Sequence, residues 1–226
     1  MLVEGTLRWR VTEDAPLDLL VGLCLRDLAG LGDAGDPALP EVVPGVSRRS
    51  VPSGMLSTRS GTATRRSAVP RAACADAGFG EPDALAEEWT RWWRRAVVQA
   101  NAVASWSTSF VPPHFAAFDR ELALQDLVID RFDEALEWAI ARREEYLADD
   151  DAHRADYSAD IVDVVRSREH DLRRQAGSFR LDIEVLPLAV PGAWVVGPDT
   201  VVVSWSLRDD HEAFRSWFTP IVEALV

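Results

Sequence analysis

Apolar residues recur along the chain first at every second position, then at every third or fourth. In "MLVEGTLRWRV", Val3, Leu7, Trp9 and Val11 fall on one side, while Glu4, Thr6, Arg8, Arg10 and Thr12 fall on the other. That alternation predicts one half-buried strand. Behind Pro16, residues Leu17, Leu20, Cys24, Leu28 and Leu31 share a helical face, and Gly32 is placed to end the helix. Residues 33–80 then lose periodicity and are rich in Pro, Gly, Ser, Thr and Arg, as a long loop would be. Within them "MLSTRSGTATRR" permits a polar hairpin around Ser60-Gly61.

Asp83 opens a second helical pattern, with Leu85, Trp89, Trp92, Trp93, Ala96, Val97, Ala100 and Ala104 as its apolar band. Glu87 and Arg91 are expected to pair one turn apart on its wet side. Residues 114–148 carry the next helix, on Phe118, Leu122, Ile129, Phe132, Leu136 and Ile140, with Leu124, Leu127, Val128, Ala135 and Trp138 widening the band. "DDDAHRADYSAD" interrupts the pattern, so a separate helix is expected from about Ser158 to Ala176, ahead of Gly177.

The period then returns to two. Phe179, Leu181, Ile183 and Val185 alternate with Arg180, Asp182 and Glu184, which predicts a half-buried strand, and "AWVVGPDTVVVSWS" reads as a hairpin turning at Gly197 to Thr200. A last helix over 208–225 carries Phe214, Trp217, Phe218, Ile221 and Leu225 on one face, with Pro220 expected to break or kink it. These elements predict a single α+β domain over 1–226. Its N-terminal strand joins three C-terminal ones in a mainly antiparallel sheet of about four strands, covered by helices on one face. Residues 33–80 form a basic insertion and 82–176 a helical middle section.

Composition adds limits. The 226 residues, 47% of them hydrophobic, suffice for a core. The longest nearly uninterrupted apolar run, "LDLLVGLCL" in 17–25, falls far short of the roughly 20 residues that cross a bilayer, so no membrane partner is expected. The start lacks a basic stretch followed by an apolar one, which points to a cytoplasmic protein. Cys24 and Cys74 form no CxxC pair, and no disulfide is expected in a reducing compartment. All 24 basic residues are arginine, so the chain has no lysine for Schiff-base chemistry or a P-loop.

Charge is segregated. The net charge is -13, yet Val42 to Ala75 holds six arginines and no carboxylate, leaving 18 arginines against all 37 carboxylates elsewhere. The plain interpretation is a solvated loop lying on its own acidic body, through exposed pairs worth about 0–1 kcal/mol each. A sharper one makes "STRSGTATRR" an anion site, in which Gly61 admits close backbone approach and Arg59, Arg65 and Arg66 clamp a phosphate or carboxylate. Nucleic acid is disfavoured, because the acidic body repels a phosphate backbone and the insertion interleaves no aromatics.

Nine tryptophans stand against two tyrosines, and Trp89, Trp92 and Trp93 share a helical face in "EEWTRWWRR". Core packing is the first expectation for them, and an interface or a ligand-lining wall the second. The acidic run Asp149, Asp150, Asp151, His153, Asp156 and Asp160 matches no EF-hand spacing and reads as a solvated helix connection, so no metal or other cofactor is expected. His114, His153, His170 and His211 form no paired motif, no GxSxG elbow occurs, and no catalytic residue is nominated. Two functions therefore stand. The first is a non-enzymatic interaction or regulatory module that binds another protein, or itself as a homodimer, through its acidic surface, its basic insertion, or both. The second is an enzyme or sensor that binds a small phosphorylated or carboxylated anion through the insertion's arginines beside a Trp-lined pocket.

Overall fold

A glycine decides how the sheet begins. In the computed structural model, which describes residues 2–6, 8–46, 82–99 and 110–226, the chain turns back after Gly5. The predicted first strand is therefore two strands, β1 (Leu2–Gly5) and β2 (Trp9–Asp14), paired antiparallel. A Cβ on Gly5 would lie 2.2 Å from the Trp9 carbonyl oxygen, so only glycine admits this approach. The Thr6 hydroxyl accepts from the backbone N–H of Arg8 and of Trp9 and holds the turn.

The other strands are β3 (Phe179–Leu186), β4 (Ala193–Val195) and β5 (Thr200–Ser204), in the order β1-β2-β3-β5-β4. The sheet is mixed: β2-β3 and β3-β5 are parallel, β1-β2 and β4-β5 antiparallel. This corrects the expectation of about four mainly antiparallel strands. The helices between β2 and β3 carry the chain back to the sheet's starting end, so β3 pairs parallel with β2.

The alternation in β3 also hides something. Asp182 and Glu184 are buried although they occupy the face expected to be wet. Asp182 accepts from the Thr12 hydroxyl across the parallel register and from Arg180. On the opposite face Trp9 stacks on its register partner Phe179, ring centroids 5.9 Å apart.

Helix α1 (Leu17–Leu28) follows Pro16 and gives way at Gly30, which has φ of 74°, rather than at the expected Gly32. The fully buried Arg26 near its end donates to the carbonyls of Leu39 and Pro40, while Asp27 accepts the N–H of Val42. These bonds fasten the first part of the insertion to the sheet, where Val42 bridges to Leu188. Residues 47–80, including the expected hairpin at Ser60-Gly61, lie outside the described residues.

Helix α2 (Pro82–Gln99) buries the predicted tryptophan face. Its Arg91 reaches Glu121, at 3.9 Å, instead of Glu87. Helix α3 (Leu122–Leu172) is one 51-residue helix, where two were expected. No Gly or Pro occurs anywhere from His114 to Ala176. Within the supposed break, Arg154 pairs with Asp150 and His153 with Asp149, each one turn apart. Breakers, absent here, would have been needed to end it.

After β5, a short helix α4 (Trp205–Arg208) leads into α5 (His211–Leu225), capped by Asp210, whose carboxylate accepts the N–H of Ala213. Pro220 sits inside α5 without ending it, since buried Phe214, Phe218 and Val222 hold both sides of it to the core. The buried apolar residues make one continuous cluster shared by sheet and helices.

Asp18 lies in the first turn of α1, where burial pushes its carboxyl up to about 6. Because the folded value exceeds the ordinary one, the ionised form costs stability above that pH, and the cost fades as pH falls toward 4. Asp18→Asn should therefore raise the thermal midpoint by about 2–4 °C at pH 7.5, after allowance for its contact with solvent, and leave it unchanged at pH 4. Thermal melts at the two pH values check this.

Candidate functional site: a carboxylate-rich cavity at the strand ends

Strands β2, β3 and β5 run in one direction and end at Asp14, Leu186 and Ser204. Crevices outside such carboxyl ends are where open sheets with parallel strands most often hold ligands. Here Glu13, Val185 and the α4 segment meet the middle of α3.

The anchor is Arg208. Its Nε and Nη2 donate to the two carboxylate oxygens of Glu13, and its Nη1 donates to Asp160 Oδ2 at 3.0 Å. Its guanidinium carbon lies 4.0 Å from the ring centroids of both Tyr157 and Phe214. All three ion-paired side chains are almost fully buried. Glu13 reaches this place because it has the same parity along β2 as Trp9 and Val11, so the apolar side of the strand carries one carboxylate.

Asp160 is shared further. Arg215 Nε donates to its Oδ1 at 2.7 Å, and His211 Nδ1 lies 2.6 Å from its Oδ2. Burial alone would raise the Asp160 carboxyl, but hydrogen bonds from His211, Arg215 and Arg208 outweigh it and hold the group below the ordinary carboxylate range.

Beside this network lies a cavity of about 200 Å³, lined by Glu145, Tyr146, Asp149, Tyr157, Val185, Trp205, Arg208 and Asp209. The Tyr157 hydroxyl stands 2.6 Å from Asp149 Oδ2 and 3.1 Å from Asp209 Oδ1. One phenolic proton serves two carboxylates, and Asp209 is raised above its ordinary value by burial and by the charge of Asp149, with the Tyr157 bond opposing. The phenol is pushed up too, by burial and by its bond to Asp149.

Helix geometry brings these groups together. Tyr146, Asp149, Asp150, His153 and Tyr157 recur at three- and four-residue steps along α3, one face of a continuous helix. The acidic run read as a solvated connection thus supplies Asp150 and Asp160 to the interior and the half-buried Asp149 to the cavity wall, while Asp151 and Asp156 are exposed. Among the described residues no group of three or more His, Cys, Asp or Glu is placed to hold a metal ion. Cys24 is free and buried, its thiol pushed up to about 12 by burial, and so is no nucleophile. Cys74 lies outside the described residues.

No family model, curated protein or solved structure matches the chain.

The tryptophans singled out in the sequence lie elsewhere. Trp89, Trp92 and Trp93 are buried together, with Trp89 stacked on Trp93 at 5.2 Å and Trp92 packed on Phe110 and Phe118. Trp89 Nε1 donates to the Gly22 carbonyl of α1. Arg59, Arg65 and Arg66 lie outside the described residues. Sequence reasoning did not single out Glu13, Tyr146, Tyr157, Trp205, Arg208 and Asp209. One signal was there: the chain's only two tyrosines stand eleven residues, or three helical turns, apart.

Proposed function

We propose that this protein is a non-enzymatic binding module that engages another protein through the acidic side of α3. The observation carrying this is a stripe on the exposed face of its first half. Asp126, Asp130, Asp133, Glu137 and Glu144 follow one another at steps of three, four and seven, and all are exposed. No arginine stands three or four residues from any of them, so their mutual repulsion is uncompensated along about 27 Å of helix. Adjoining this stripe runs an aliphatic row, Leu122, Ile129 and Ile140, left 63%, 56% and 42% exposed. Repelling charges and bare aliphatics both cost the isolated protein something, and a basic, partly apolar segment laid along the helix relieves both. Two copies of the stripe would repel each other, which favours a different partner over a homodimer on this face.

A synthetic amphipathic peptide, with arginines along one row and leucines along the next, tests the reading by fluorescence anisotropy. Neutralising the stripe with Asp130→Asn, Asp133→Asn and Glu137→Gln should weaken binding about tenfold or more at 0.15 M salt. The same change should leave the fold intact and slightly raise the thermal midpoint, because like charges one turn apart are removed. Equal affinity of parent and variant would sink the proposal.

A further inference from the structure

The cavity at the strand ends has a charge and bonding inventory that selects one class of ligand. Three carboxylates, Glu145, Asp149 and Asp209, line it with three aromatic side chains, Tyr146, Tyr157 and Trp205. Its one cation, Arg208, is already balanced by Glu13 and Asp160. Glu145 at the rim also touches Arg142 at 2.5 Å, and Asp149 has His153 beside it at 3.0 Å. Even so, a second anion brought here would meet excess negative charge.

An independent observation points the same way. Tyr146 is only 6% exposed and lines the cavity, yet its hydroxyl makes no hydrogen bond to any described residue. The oxygen itself keeps some accessible surface, so it is open to a ligand's donor. A donor group held between Asp149, Asp209 and the Tyr146 oxygen would bond to all three. Aromatic walls and carboxylates together are the lining that suits an organic cation. The volume of about 200 Å³ lies below the roughly 300 Å³ where pockets for drug-sized molecules begin.

We propose that this cavity is a binding site for a single alkylguanidinium or alkylammonium head group, with Asp149 and Asp209 as its anionic acceptors and the Tyr146 hydroxyl as its third contact. The head group belongs either to a free small amine or to a side chain projecting from a peptide. The site shares no residue with the acidic stripe on the first half of α3, so each proposal can fail alone.

Isothermal titration of the full-length protein with agmatine and with n-butylammonium, at constant ionic strength, tests it. The expected result is saturable one-to-one binding of at least one of them, with no binding of acetate or inorganic phosphate. Tyr146→Phe removes only an unbonded hydroxyl, so its thermal midpoint should match the parent while affinity for the cation drops about tenfold. Asp149→Asn should weaken binding by at least as much, and Glu137→Gln on the stripe should not change it. A Gly-Arg-Gly peptide run in parallel separates the sources. Tighter binding than agmatine assigns a partner's side chain, and weaker or absent binding assigns a free amine. The proposal is overturned if neither cation binds the folded parent, if Tyr146→Phe binds as tightly as the parent, or if phosphate or acetate occupies the site instead.

Discussion

Arg208→Met should cost the protein about 3–5 kcal/mol at pH 7, the range seen when one partner of a buried ion pair is removed. Against a typical total of 5–15 kcal/mol, that is enough to leave much of the chain unfolded in mild urea. The reason lies in what remains. Glu13 and Asp160 are both buried, and without the guanidinium the Glu13 carboxylate loses both of its donors. Asp160 keeps Arg215 and His211, so the larger share of the penalty falls on Glu13. Methionine fills the space between the Tyr157 and Phe214 rings, which separates lost charge from lost volume.

The pH dependence gives the sharper check. In the parent, Asp160 is held below its ordinary value, so its contribution is present at neutral pH and is lost as pH falls through the folded value. In the variant, Glu13 is buried without a cation. Burial already raises the Glu13 carboxyl above its ordinary value in the parent, with Arg208 opposing; in the variant that opposition is gone, the value rises further, and more stability returns as pH falls toward 4. Urea melts followed by circular dichroism at pH 7 and pH 4.5 should show the gap between parent and variant narrowing in acid. A gap that is constant or absent would show that the pair carries no net charge burden.

Trp89→Ala has a comparable expected effect for a different reason. Truncating a buried tryptophan typically costs 3–5 kcal/mol through lost transfer energy and the cavity left behind. Here the ring is stacked on Trp93, and its N–H satisfies the buried Gly22 carbonyl at 2.9 Å. The two parts separate by comparing phenylalanine substitutions. Trp89→Phe should cost about 1–3 kcal/mol more than a volume loss alone, because the Gly22 carbonyl is left unsatisfied. Trp93→Phe should cost less than Trp89→Phe, since Trp93 Nε1 is buried without a partner among the described residues and has no bond to lose. Chemical denaturation of the three variants ranks them, and Trp93→Phe proving the worst would overturn the argument.

Local periodicity was enough to place α1, α2, β3 and the β4-β5 hairpin, because each rests on residues within two turns or one strand of each other. It could not supply direction. Whether β3 joins β2 parallel or antiparallel depends on where the intervening helices end. Pattern reasoning also treated charge as exposure, and so read a break into α3 and a wet side onto β3, where Asp182 and Glu184 are buried. The cavity was less legible still. Arg208 meets residues 195 and 48 positions away, and no window along the chain contains all three. Glu13, a carboxylate on the apolar parity of its strand, was a local hint beside the spacing of the two tyrosines, and no expectation was drawn from either.

The register between Trp9–Asp14 and Phe179–Glu184 has a consequence for how the chain comes into being. As the polypeptide leaves the ribosome, the N-terminal hairpin emerges without the strand that lies beside it in the finished sheet. That strand arrives only after some 170 further residues, a separation that Thr12 and Asp182 span in the finished fold. Until then Trp9, Val11 and the carboxylate of Glu13 have no sheet neighbour on that edge, and the growing chain offers an open strand edge of the kind that chaperones shield. The helices between can form early, from local contacts, but the sheet is completed only once β3, β4 and β5 have emerged.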